Sequence, residues 1–343
     1  MFRTLILALA FLPSGASALD WQLPTENRHL LTGEPEKFYM YVDRTFEGVS
    51  SKPWQGGAWG LVRNPVRVGG KVEYMRFHEG IDIAPVKRDK AGNPLDLVMS
   101  VAPGRVVHVN DSSGRSNYGR YIVVEHPVDS SGNMVHSLYA HLATTTVKPG
   151  DRVKAGSVLG RMGYTGRGLN RTRAHLHLEL GLMMSNRFQG WFQRYSGGTN
   201  HHGNYNGMNL IGMDVARFMT EVHKNPELKV TDFVRRSPAY FKVTVPRRGT
   251  LEFASRHPWL VYGDLTKPSP SWEISLTATG LPTGIAISQR KVGEPIVSAV
   301  KASDTAHRYL TRGLLSGEGS SATLSTNGKK LIALLTGDFP DPK

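Results

Sequence analysis

The chain has 343 residues, 42 Lys and Arg against 28 Asp and Glu, a formal charge of +14 and no cysteine. Without cysteine, disulfides and lipid attachment at a leader cysteine are excluded, so stability must come from packing and any bound metal. The hydrophobic fraction of 39% is that of an ordinary globular protein, and the excess positive charge favours anionic partners: nucleic acid, acidic membrane surfaces, or the acid-rich polymers of a bacterial envelope.

The first residues read as a cleavable secretory signal. Arg3 gives a basic start, Thr4 to Leu12 is an apolar run, Pro13 and Gly15 break it, and Ala16, Ser17 and Ala18 are small residues at a cleavage site after Ala18. The run is too short to cross a bilayer, so no stable membrane anchor is expected and the protein is read as periplasmic or secreted. Export in turn argues against nucleic acid as the anionic partner.

Residues 19–54 form an N-terminal segment. From about residue 36 to 185 the chain is rich in glycine and short β-type runs: Arg105 to Asn110, Tyr121 to Glu125 and His136 to Leu142, separated by turn signals at Ser112–Gly114 and Ser130–Asn133. Val147 to Gly160 reads as two short strands joined by glycine turns. Val215, Phe218, Met219 and Val222 share one helical face, with Asp214 as cap and Asn225–Pro226 as the stop. This divides the chain into a domain over 55–225 ending in a helix and a smaller β-rich domain over 231–343. In the second, Phe241, Val243 and Val245 alternate, Asn327–Gly328 carries a hairpin signal, and a β-sandwich is expected. The overall expectation is a mainly β protein.

Thirteen histidines are spread along the sequence. His29, His108, His126, His136, His223, His257 and His307 have no partner at a telling spacing and read as surface or hydrogen-bonded core; His201 and His202 read as part of a Gly/Asn-rich surface loop. Three segments differ. In the first, His78 and Asp82 are four apart; a straight strand would hold them roughly 13 Å apart, and Gly80 between them implies a turn that folds the two side chains together. In the second, His175 and His177 share one strand face while Leu176 and Leu178 face a core. In the third, Tyr139 and His141 share a face. A catalytic zinc takes three protein ligands and leaves a fourth position for water. His78, Asp82 and one of the 175/177 pair supply that set, and the other of the pair and His141 remain to orient or deprotonate water and to hold an oxyanion.

The ordered trio His78-x-x-x-Asp82, Tyr139-x-His141-Leu142 and His175-Leu-His177-Leu-Glu179 resembles the lysostaphin-type, or LytM-like, zinc endopeptidases. The resemblance covers about residues 55–182, including the Trp59 to Asn64 lead-in and the Val147 to Gly150 stretch. It implies an antiparallel, barrel-sandwich-like β-sheet domain with one zinc ion in its cleft, cutting peptide bonds of bacterial peptidoglycan. Position by position it implies His78, Asp82 and His177 as metal ligands and His141 and His175 as catalytic histidines. Two departures are visible: a longer, basic connection from Arg167 to Arg173, and an insertion from Lys87 to Pro94. Arg167, Arg171 and Arg173 could grip carboxylates of an acidic peptide.

The expectation is therefore an exported zinc metalloendopeptidase acting on peptidoglycan. The alternative is a non-catalytic cell-wall binding or regulatory module on the same fold, and relatives that abandon catalysis typically lack some of these five residues. A cupin-type metal oxygenase also uses a His-x-His strand, but Glu179 follows His177 too closely for that ligand set.

Overall fold

The computed structural model describes residues 19–340; the expected leader, residues 1–18, lies outside the described residues. Among those residues no helix is long and apolar enough to cross a membrane.

The protein is mainly β. A nine-stranded antiparallel sheet runs Arg152–Val153, Gly104–Asn110, Arg120–Pro127, Met134–Thr145, Val158–Met162 and Leu97–Met99 in spatial order, and does not close into a barrel. The expected strands over 105–110, 121–125 and 136–142 are all found within it. The 12-residue strand Met134–Thr145 is the hub. Its first half pairs with Leu176–Met183, from His136 opposite Gly181 to Ala140 opposite His177. Its second half pairs with Val158–Met162, beginning at Leu142 opposite Met162. The sheet thus forks at residues 140–142, and the chain leaving at Gly163 returns at His175, where the two residues form an isolated bridge.

Strand Leu176–Met183 is held on its other side by Ile81–Ile83 and Leu210–Gly212. Leu176, Leu178, Leu180 and Leu182 are fully buried, so alternation anchors one face of this strand in the core and turns the other toward the fork. A long hairpin, Gly60–Val68 with Lys71–His78, stands beside that face. The helix Val215–Lys224 lies where its periodicity placed it: Asp214 accepts from the Arg217 N–H, and Val215, Phe218, Met219 and Val222 are buried. The segment before residue 55 is woven into the same body, through Gln22 to Val101, Met99 to Pro24 and Met40 to Asp82 backbone bonds.

Beyond residue 240 a four-stranded antiparallel sheet has the order Pro282–Ser288, Ser271–Leu276, Phe241–Pro246, Ile296–Val300. Phe241, Val243 and Val245 alternate inward as expected. No second sheet of comparable size faces it among the described residues, so the sandwich expectation is replaced by one sheet with helices. The Asn327–Gly328 hairpin is also corrected: the helix Thr326–Thr336 starts there. Ser325 caps it by accepting from the Gly328 N–H, and Leu331, Ile332, Leu334 and Leu335 bury at helical spacing. Gly328 is there for closeness, since a Cβ would lie 2.2 Å from the Leu314 carbonyl oxygen. This helix docks on the helix Phe188–Tyr195, where Trp191 Nε1 donates to the Lys330 carbonyl at 2.8 Å, so one apolar core runs through both sheets.

Candidate active site

The turn expected at Gly80 is present. His78 ends one strand, Asp82 is central in the next, and a Cβ at residue 80 would meet the Leu178 carbonyl oxygen at 2.3 Å. The reversal therefore lies against strand Leu176–Met183, and it brings His78 Nε2 within 3.1 Å of Asp82 Oδ1. His177, paired in register with Asp82, places its Nδ1 3.0 Å from Asp82 Oδ1 and 3.1 Å from His78 Nε2. His175 places its Nε2 3.3 Å from the same oxygen. His141 joins through its ring, 4.9 Å from that of His175 and 5.8 Å from that of His177. All five residues named from the sequence lie together, each less than a tenth exposed.

Hydrogen bonds at the back of each ring fix which nitrogen faces inward. The Nδ1–H groups of His78, His141 and His175 donate to the carbonyl oxygens of Ala58 (2.8 Å), Thr165 (2.8 Å) and Arg173 (2.7 Å). His177 is reversed: its Nε2–H donates to Glu179 Oε1 at 2.9 Å. In their neutral forms the rings therefore present bare Nε2, Nε2, Nε2 and Nδ1 toward the cleft. Asp82 is fixed from behind by Arg63, whose Nη2 donates to Oδ2 at 2.6 Å while its Nε donates to the Gly56 carbonyl.

His141 occupies a left-handed backbone conformation, φ 64°, rare for a non-glycine residue and a local strain of about 1 kcal/mol or more. It sits at the sheet fork, where pairing with Arg120–Pro127 shifts register. The bulge turns its ring out of ordinary alternation and into the cleft, an orientation no strand pattern would predict.

The electrostatics are those of a cation site. Burial lowers an imidazole pKa, yet His177, hydrogen-bonded to both Asp82 and Glu179, is pushed up to about 10. Burial raises a carboxyl, yet the imidazoles of His175 and His78 and the hydrogen bonds of His175 and His177 hold Asp82 well below the usual range. The carboxylates of Asp82 and Glu179 thus stabilise positive charge at His177. Burial, with His175 and His177 nearby, holds His141 well below the usual imidazole value, which favours its neutral form. The donor set fits zinc. His78, Asp82 and His177 offer two imidazole nitrogens and one carboxylate oxygen within reach of a single ion. Their mutual spacings of 3.0–3.1 Å are close to the edge of about 3.3 Å in a tetrahedron with 2.0 Å bonds. Glu79, His177 and Glu179 form a second acidic group, but it would use the His177 nitrogen whose proton Glu179 already accepts.

Residues that sequence reasoning did not single out form the supporting layer. Glu179 accepts from His177 and also from the Tyr118 hydroxyl at 2.6 Å. Its alternation with His175 and His177 was the available signal; Tyr118 and Arg63 had none. The cleft, about 770 Å³, is lined by Arg63, Arg167 and Arg173 beside the five site residues. Arg171 faces elsewhere and donates to the Ala91 carbonyl, while Arg88 donates to the carbonyls of Arg171 and Thr172. The two insertions visible in the sequence are thus bound to each other, and the second lines the cleft through Arg167, Gly168, Leu169 and Arg173. His202 is buried rather than on a surface loop, its ring against His108 and Tyr121.

The profile of "Peptidase family M23" matches residues 76–187, the stretch that holds all five residues. The chain is 34% identical over 92 residues to "Lipoprotein NlpD" of Yersinia enterocolitica, covering 27% of this chain and 84% of that one. It is 35% identical over 117 residues to "Peptidoglycan DD-endopeptidase ShyC" of Vibrio cholerae serotype O1, covering 34% of this chain but only 23% of that one. Among solved structures, the catalytic domain of lysostaphin from Staphylococcus simulans matches at 22% identity with a TM-score of 0.29, covering 47% of this chain and 88% of that one. With its His-x-x-x-Asp, His and His-x-His motifs inside the matched stretch, the chain belongs to peptidase family M23.

Proposed function

We propose that this protein is an exported zinc-dependent endopeptidase that hydrolyses peptide cross-links or stems of bacterial peptidoglycan, with His78, Asp82 and His177 holding the metal and His141 and His175 acting on the substrate. The observation that carries the reading is the convergence of inward-facing nitrogens of three buried histidines on one carboxylate, with the ring of a fourth, His141, 4.9 Å from that of His175, each ring oriented from behind. Membership of a peptidase family and the peptidoglycan activity named for the Vibrio relative support the substrate.

A zinc ion held there supplies a Lewis acid and draws the pKa of a water toward neutrality. The protein's part is positional and acid–base. His141 and His175 direct Nε2 into the cleft, where one accepts a proton from the attacking water. The resulting imidazolium donates to the oxyanion of the former carbonyl or returns the proton to the leaving amine. Ala58, Thr165 and Arg173 carbonyls hold the rings against rotation, so little reorganisation accompanies the reaction. Arg63 and Glu179 keep Asp82 and His177 aimed at the metal position. A purely wall-binding module would need neither the strained His141 backbone nor two unliganded imidazoles beside a complete ligand set. We read residues 55–225 as the peptidase domain and 231–343 as a second unit docked on it.

The test is mass spectrometry of muropeptides released from purified walls of several chemotypes, with and without chelator, alongside metal analysis of the protein. Release that requires zinc and stops with chelator is expected; activity in a zinc-free protein, or binding without release, would refute the reading.

A further inference from the structure

The cleft continues past the candidate metal site. A second cavity of about 890 Å³ adjoins it, and Asn64, Arg76, Phe77, Glu79, Asn117 and Tyr118 line both. Its far wall comes from the C-terminal region, with Arg312, Leu314 and the helix Thr326–Thr336. A ligand lying over His177 and Asp82 can therefore extend, past Phe77 and Tyr118, to side chains that lie outside the matched family region.

Arg312 is unusual in three respects. Its backbone is left-handed, φ 47°, a conformation that disfavours arginine by about 1 kcal/mol or more. The turn that imposes it is rigid: the Thr311 hydroxyl donates to the His307 carbonyl at 2.7 Å and accepts from the Leu315 N–H. Its guanidinium is stacked over the Phe77 ring, 4.9 Å from the centroid, and Phe77 is braced edge-on by Trp59 at 5.5 Å. Phe77 directly precedes His78, so the guanidinium is referenced to the candidate metal site through one aromatic ring. Yet among the described residues the Arg312 guanidinium makes no hydrogen bond or ion pair. Burial lowers it to about 10, with the field of Glu79 opposing, so it is cationic at neutral pH.

Arg76, exposed at the boundary of the two cavities, also lacks a hydrogen bond or ion pair among the described residues. Against these two guanidiniums and the Lys330 ammonium the cavity wall sets one carboxylate, Glu79. Elsewhere arginines of this chain are engaged: Arg63 with Asp82, Arg67 with Glu47, Arg248 with Asp338. A half-buried guanidinium, oriented by an aromatic face and a strained turn but left with free donors, is built to receive a planar anion in two-pronged fashion.

We propose that Arg312, assisted by Arg76, is a specificity-determining subsite for a free carboxylate of the acidic peptide bound in the cleft. This rests on the peptidoglycan reading above for the peptide's identity, and it gives the C-terminal unit a direct part in substrate selection.

The probes are monomeric muropeptides with free stem carboxylates and the same molecules with every carboxyl converted to the methylamide. Each is labelled on its sugar, titrated into the full-length zinc-loaded protein by fluorescence anisotropy, and checked for integrity afterwards. The wild type binds the free form about tenfold more tightly, the value of one charge-assisted pair. Arg312→Asn, which tolerates the left-handed turn, brings the two forms within twofold of each other. Arg76→Gln, on an exposed strand position, lowers the preference about threefold, and Lys291→Gln, a remote change of equal charge, leaves it intact. Amidation of the terminal or the side-chain carboxyls alone identifies which is read. Equal binding of both forms, binding of neither, or an equal loss in Lys291→Gln overturns the subsite. Selective binding without zinc-dependent release overturns the peptidase reading alone, whereas chelator-sensitive release without carboxylate preference overturns the subsite alone.

Discussion

Glu179 offers the sharpest test of how the candidate metal site is supported. Its buried carboxylate accepts from His177 Nε2 at 2.9 Å and from the Tyr118 hydroxyl at 2.6 Å through the same oxygen. Glu179→Gln keeps size and one acceptor but removes the negative charge, turning a charge-assisted bond into a neutral one. Charged hydrogen bonds contribute about 1.5–3 kcal/mol and neutral ones about 0.5–1.5 kcal/mol. The difference of about 1–1.5 kcal/mol corresponds to roughly tenfold weaker zinc binding. Glu179→Ala removes the acceptor entirely and frees the His177 ring to rotate, so the loss should approach about 100-fold, the upper end for outer-layer partners of metal ligands. Competition with a chromophoric chelator measures both, with circular dichroism as the check on folding. A loss under threefold for Gln, or an alanine variant that binds zinc as well as the glutamine variant, would refute the claim that Glu179 orients His177 for the metal.

His177→Ala should lose zinc altogether, whereas His141→Ala should retain it and lose about 100-fold or more in wall release; metal analysis beside the muropeptide assay separates the two. Acid should destabilise the fold through His126, which is fully buried between the Pro103 carbonyl and the Ser137 hydroxyl and lowered by burial to about 4. A base lowered on folding contributes stability above its unfolded value near 6.5 and loses it as pH falls through 4, a change of up to about 3 kcal/mol. Urea midpoints should therefore fall between pH 6.5 and 4, and His126→Gln should flatten the trend. Leu178→Ala, in the strand that carries His177 and fully buried, should cost about 2–5 kcal/mol, read from urea unfolding at constant slope.

Much of the site was legible in one dimension because its chemistry rides on short-range geometry. His175 and His177 had to share a face if their segment was a strand, with Leu176 and Leu178 buried opposite, and Gly80 between His78 and Asp82 called for a reversal. Periodicity likewise located the helix Val215–Lys224. Local signals failed where tertiary contacts outweighed them. Asn327–Gly328 is a hairpin dipeptide in isolation, but the Ser325 cap and a leucine-rich face with a core to bury into make it the first turn of a helix. His202 looked like loop surface because its burying partners, His108 and Tyr121, are remote in sequence.

The sequence alone determined the donor types, their order and the strand face shared by His175 and His177, since these follow from residue identity and a two-residue repeat. Only the tertiary structure decided the rest. It chose which nitrogen of each histidine faces the cleft, because that depends on carbonyls of Ala58, Thr165 and Arg173 brought up by other segments. It turned His141 inward at the fork of the sheet, and it set Arg63 behind Asp82. It also carried Arg312 from more than 230 residues away onto the ring of Phe77, because packing between the two sheets is settled by the shared core rather than by any local pattern.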